Sequence, residues 1–160
     1  MEFDWNGPAT EDSGIFGLPW SAEASSLVLL PVPWAATVSY GNGAERGPEA
    51  ILNASKQVDL YSDWLPEIWK YKTALLSAPE GLEESNLATR KLVEKVLADL
   101  WEGQHNSSTE TEQINQACAS MNAAVKAACL AHLRQGKRLG LVGGDHSTPL
   151  GYYQALGEHH

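Results

Sequence analysis

Arg138-Leu139-Gly140-Leu141-Val142-Gly143-Gly144-Asp145-His146-Ser147-Thr148-Pro149 is the stretch on which the fold turns. A short apolar run reaches two glycines, then presents an acid, an imidazole and two hydroxyls in consecutive positions. Pro149 follows, where a helix can begin. The pattern reads as a buried strand ending at a tight turn, with polar side chains at the strand's carboxyl end, where open α/β sheets bind ligands. Gly143 and Gly144 admit backbone angles that a Cβ resists. His146 is the natural metal ligand or proton carrier of the set. A plainer reading stands beside this one: Gly-Gly-Asp is also an ordinary turn, and Ser147 or Thr148 is placed to cap the helix that Pro149 opens.

Outward from this stretch, the chain alternates strands and helices. Before it, Ile114, Ala117, Met121, Val125 and Ala128 mark the inner face of a helix from about residue 110 to 135, with Thr109 or Thr111 as its cap and Gly136 as its end. A long helix running straight into a buried strand is half of a βαβ unit, which favours a parallel sheet. Glu84 to Trp101 repeats apolar residues at three and four and is expected to be helical, with a polar loop, His105 to Thr109, after it. Tyr71 to Ser77 is expected as a strand. Leu27 to Pro33 is a first strand, continuously apolar as a sheet covered on both faces requires, its ladder ending at Pro31. A loop from Trp34 to Gly43 leads into a helix with Pro48 in its first turn. Beyond Pro149 the composition is helical, with Leu150, Tyr153 and Leu156 on one side. His132 suits a helix surface or a contact between helices, and the tandem His159-His160 cannot chelate as an i, i+4 pair would.

Gly143-Gly144-Asp145-His146-Ser147 resembles the first metal-binding signature of the ureohydrolases, the arginases, agmatinases and guanidine hydrolases. The apolar strand, glycine-rich loop and Gly47-Pro48 helix start resemble that family too. The resemblance implies a three-layer αβα fold with a mainly parallel sheet, of which this chain is the N-terminal half. It divides the chain into an acidic, aromatic-containing arm (residues 1–26, with Trp5, Phe16 and Trp20) and the N-terminal part of one α/β domain (27–160).

It also implies a binuclear centre of divalent ions, nickel or manganese, with His146 a direct ligand of one ion and Asp145, Gly143 and Gly144 shaping or orienting the turn. Ser147 and Thr148 cap the next helix or line the pocket. The loop with Tyr40 and Asn42 approaches the substrate; Tyr40 or Trp34 stacks on a guanidinium ion or packs in the core. Two ions about 3.5–4 Å apart would activate water against a resonance-stabilised guanidinium, releasing urea. The long tryptophan-bearing arm looks most like the guanidine hydrolase branch, which makes urea and ammonia; agmatinase or guanidinobutyrase is the alternative. The family's later ligand motifs, Asp-Ala-His-x-Asp and Asp-x-Asp, do not occur in these 160 residues. The general base and remaining ligands are therefore expected beyond residue 160, the complete chain is expected to be the hydrolase, and this segment alone inactive. A homohexamer or homotrimer is expected by the same resemblance.

Two other classes are weighed. A dinucleotide fingerprint at Gly41, Gly43 and Gly47 fails on spacing, being G-x-G-x-x-x-G. A non-catalytic ligand-binding module fits a bare turn. Composition excludes more. The net charge of −9 offers no basic stretch for a nucleic-acid backbone. The first 25 residues hold five acids and no base, which favours a cationic partner or a solvated arm. No run of about 18 apolar residues exists to span a membrane, and an acidic N-terminus is wrong for a secretory signal. Cys118 and Cys129, eleven apart on one helix, lie about 16 Å apart along its axis and cannot pair. They read as buried thiols in a reducing, cytoplasmic setting. Asn53-Ala54-Ser55 and Asn106-Ser107-Ser108 match the glycosylation pattern by chance.

Overall fold

The computed structural model describes residue 4 and residues 7–38, 40–65, 67–103 and 108–160. Trp5 and residues 105–107, with the polar loop and glycosylation match placed there, lie outside the described residues. Strand β1 (Leu27–Pro31) is central, with β2 (Thr73–Leu75) and β3 (Arg138–Val142) parallel to it on either side. Helix α1 (Gly47–Ser55) lies on the crossover to β2, and α2 (Leu82–Trp101) and α3 (Ser108–Leu133) on the crossover to β3; α4 (Pro149–His159) follows. The α/β class with a parallel sheet is therefore realised.

The sheet is built as its sequence requires. Val28 and Leu30 alternate with Leu27 and Leu29, so the first pair faces one layer and the second the other. Val28 and Leu30 are buried with Leu139 of β3 against Met121, Val125 and Cys129 of α3 and Ala155 of α4. Pro31 is the last residue of β1, paired with Val142, and Val32 N–H still donates to the Val142 carbonyl at 3.0 Å.

One helix start and two helix faces depart from the plain apolar pattern. α3 begins at Ser108, which puts Thr109 and Thr111 inside the helix instead of at its cap. On α4, Leu150 and Tyr153 are exposed, while Gly151 and Ala155 are buried and Tyr152 and Leu156 pack on the core. The reason is backbone proximity: a Cβ on Gly151 would stand 2.4 Å from the Asn122 carbonyl oxygen of α3. The small residues, not the large ones, mark the contact. On α2 the buried line is Leu82, Asn86 and Thr89, and Leu100 and Trp101 are exposed.

The segment before β1 is held down. Lys137 Nζ donates to the carbonyls of Ala22, Glu23 and Ser25. Phe16 N–H donates to Ser55 Oγ at 2.9 Å, and the Lys72 ammonium lies 5.0 Å from the centre of the Trp20 ring, a cation–π distance. Both cysteines are free, as expected.

Two outcomes follow. Helix propensity favours alanine over glycine by about 1 kcal/mol, but overpacking against a backbone carbonyl costs about 1–3 kcal/mol. Gly151→Ala is therefore expected to lower the midpoint of denaturant unfolding. Burial pushes the Cys129 thiol from 9.0 to about 11. A raised folded-state value favours the neutral thiol, so its contribution to stability is full below pH 9 and is lost as pH rises toward 11. Alkylation of the native protein at about pH 8, where the thiolate is the reactive form, should spare Cys129 until the chain is unfolded, as peptide mass mapping will read.

Candidate metal-ligand loop

Since β1 and β3 run parallel in register, the chain leaves both at the same end of the sheet. The loop after β1 (residues 32–38) and the loop after β3 (residues 143–148) therefore meet at one rim, which carries His146.

Both glycines are required there. Gly143 has φ +96°, and a Cβ on it would meet Pro48 Cγ at 2.3 Å; Gly144 has φ +79°, and a Cβ would meet the carbonyl oxygens of Val32 at 2.7 Å and Trp34 at 2.8 Å. Gly47-Pro48 at the start of α1 thus presses on the same turn. Gly144 N–H also reaches the Ala44 carbonyl at 3.4 Å.

Asp145 ties the two loops together. Its N–H donates to the Trp34 carbonyl at 2.8 Å. Its Oδ2 accepts from Thr37 N at 3.2 Å and Thr37 Oγ1 at 2.7 Å. Its Oδ1 accepts from Ser147 N at 2.9 Å and Ser147 Oγ at 2.6 Å. Four donors, two from each loop, converge on one carboxylate, an arrangement that satisfies its hydrogen-bonding capacity.

The hydroxyls do not cap α4. Ser147 spends its own on Asp145, and Thr148, the residue at the N-cap position, makes no side-chain cap. Thr148 is 2% exposed, and its hydroxyl turns back to the carbonyls of Asp145 at 2.9 Å and Gly143 at 3.4 Å. The residue pattern allows capping, but these side chains make local bonds to the Asp145 carboxylate and the turn's carbonyls instead.

His146 itself is exposed at the rim. Its imidazole is chemically suited to a divalent ion. Among the described residues no group of three or more His, Cys, Asp or Glu is positioned to hold a metal, so these residues fit one donor of such a centre. Cys118 of α3 lies near enough to feel the Asp145 charge: burial first, and then that carboxylate, push its thiol up, which keeps it a neutral neighbour.

The remaining candidates separate. Trp34 is fully buried at 0% exposure, which selects the core reading for it, whereas Tyr40 is 91% exposed. Asn42 is exposed as well, and no hydrogen bond described joins Tyr40 or Asn42 to the His146 turn. A cleft of about 410 Å³ opens on the β2 side of the same rim, lined by Pro31, Pro33, Glu45, Pro48, Asn86 and Leu87 among others; residues 143–148 are not among its walls.

Residues that sequence reasoning passed over hold the β1 loop. Ala35 N–H donates to the buried Asn86 Oδ1 at 2.7 Å, and Arg90 Nη1 donates to the Val38 carbonyl at 3.0 Å. A polar pair at i, i+4 on a helix with apolar neighbours was the available signal.

The arginase family model matches residues 25–160. An N(1)-aminopropylagmatine ureohydrolase from Thermus thermophilus is 33% identical over 140 residues, 85% of this chain and 37% of the relative. The protein of the same name from a second strain of that species is 31% identical over the same shares. One from Synechocystis is 46% identical over 41 residues, 26% of this chain and 13% of the relative. The chain thus spans well under half the length of the curated relatives it matches. No solved structure matches it significantly.

Gly144→Ala combines a backbone angle unfavourable to alanine with two carbonyl collisions. It is expected to destabilise the protein by about 1–3 kcal/mol or more, seen as a fall in thermal midpoint.

Proposed function

This chain belongs to the arginase family, and from that premise we propose that the protein hydrolyses a guanidino compound to urea and an amine. The observation that carries the reading is His146, an imidazole presented at the sheet's carboxyl rim on a turn that Asp145 fixes from both sides. In this reading His146 is one ligand of a centre of two divalent ions, nickel or manganese, whose chemistry is to generate a hydroxide nucleophile at neutral pH. Asp145 orients the loop through its hydrogen bonds, and Gly143 and Gly144 let the loop pass Pro48 and the β1 loop.

Guanidine itself is the substrate that the arm-bearing sequence suggested, with agmatine or guanidinobutyrate as the alternative. A second reading rests on the names of the relatives, which act on an aminopropyl-substituted agmatine. The two differ in whether an alkyl amine tail must be accommodated beyond the guanidinium. We propose further that the protein works as a trimer or hexamer, and that activity requires residues outside these 160, since one imidazole cannot hold two ions.

The decisive measurement is urea release by the metal-loaded intact protein with guanidine, agmatine, guanidinobutyrate and aminopropylagmatine in parallel. Turnover of at least one is expected; the 160-residue segment assayed alone should release none. His146→Ala in the intact protein should lower bound metal and rate by about 100-fold or more, beyond the ~10–100-fold typical of groups that only support a ligand. Unchanged metal content after that substitution would sink the assignment.

A further inference from the structure

We infer that Thr37 is a positioning residue for the His146 imidazole, acting through the carboxylate of Asp145. The inference rests on the reading of His146 as a metal ligand and extends it to a residue on another loop. Asp145 is gripped twice by residues 34–37: its N–H by the Trp34 carbonyl, and its Oδ2 by both the N–H and the hydroxyl of Thr37, the hydroxyl bond being the shorter at 2.7 Å. A donor can orient its acceptor only if it is itself held.

Thr37 is held on both sides. Trp34 is anchored in the core, Ala35 is bonded to the buried Asn86, and the Val38 carbonyl is bonded to Arg90. Asn86 and Arg90 lie one turn apart on α2, so the loop stands on a helix (Leu82–Trp101) and not on another loop. Threonine is stiff at χ1, which keeps the hydroxyl aimed. The Oδ1 side of Asp145 is fixed locally by Ser147, so Thr37 supplies the only described side-chain bond to this carboxylate from outside its own turn. The line of force runs from α2 through the β1 loop to Asp145, and from there along one peptide to His146. Hydrogen-bonded supports behind a metal ligand set its orientation and with it metal affinity.

The test uses the intact protein and compares wild type, Thr37→Val and Thr37→Ser. Valine keeps the shape and the backbone N–H and deletes the hydroxyl; serine restores it. Metal dissociation is measured with manganese and with nickel by chelator competition, alongside kcat, KM and the thermal midpoint of the metal-free protein. The expected result for T37V is metal held about tenfold or more weakly, with kcat lowered, KM little changed and the metal-free midpoint unaltered. T37S should bind metal as wild type does. Wild-type metal affinity in T37V overturns the inference, as does an equal loss in T37V and T37S, or a loss that merely tracks a lowered midpoint. If T37V does not fold, Thr37→Ala deletes the same hydroxyl and is read by the same criteria. A wild-type protein that binds no metal and releases no urea would instead defeat the reading of His146, so the two failures are separable.

Discussion

The parallel pairing of β1 with β3 is the constraint from which the site follows. With Pro31 opposite Val142, both strands hand over to loops at the same end of the sheet, and those loops must share one small volume. Loop backbone carries donors and acceptors that no ladder satisfies, and crowding two such segments would leave several unpaired. Asp145 resolves that conflict by accepting from both loops at once. The imidazole one residue later is then presented by a turn whose carboxylate and two hydroxyls are already occupied. Close approach of Pro48 and of the Val32 and Trp34 carbonyls explains why two successive glycines precede the acid.

The layer beneath obeys the same logic of proximity. α3 and α4 approach until Gly151 nearly touches the Asn122 carbonyl, and Ala155 continues that seam one turn later. This draws the start of α4, and with it the His146 turn, down onto the core. Beside α3, α2 commits Asn86 and Arg90 to backbone groups of the β1 loop, so a helix face that contains polar residues is turned inward for a reason.

What could be read from the residues alone follows from these distances. Strand β1 is legible because its apolar run is unbroken, and α3 because Met121 and Val125 recur with the helical period and do face the core. The turn at Gly143-Gly144 was legible because only special backbone angles make two glycines useful there. The inward face of α4 was not, because a contact made by absent side chains leaves no hydrophobic signal. Nor was Thr37, whose partner is 108 residues away along an irregular loop. Hydroxyls at 147 and 148 look like caps because the local pattern is the same; the choice between cap and brace depends on where the Asp145 carboxylate and the turn's carbonyls point. The family was legible from one pentapeptide and one helix start, whereas the substrate depends on walls that those motifs do not include.

Lys137 gives the opposite end of the sheet a different character. Its ammonium gathers three carbonyls of the segment entering β1, while Ser26 exchanges backbone bonds with both neighbours, its N–H to the Lys72 carbonyl and its carbonyl from Arg138. The entrance of the central strand is thereby laced to the strands flanking it. The molecule separates its tasks along the strand axis, fastening at one pole and presenting the His146 imidazole at the other. Changes in the segment before β1 can then accumulate without disturbing the His146 turn, and that rim can be retuned without loosening the lacing at the strand entrance.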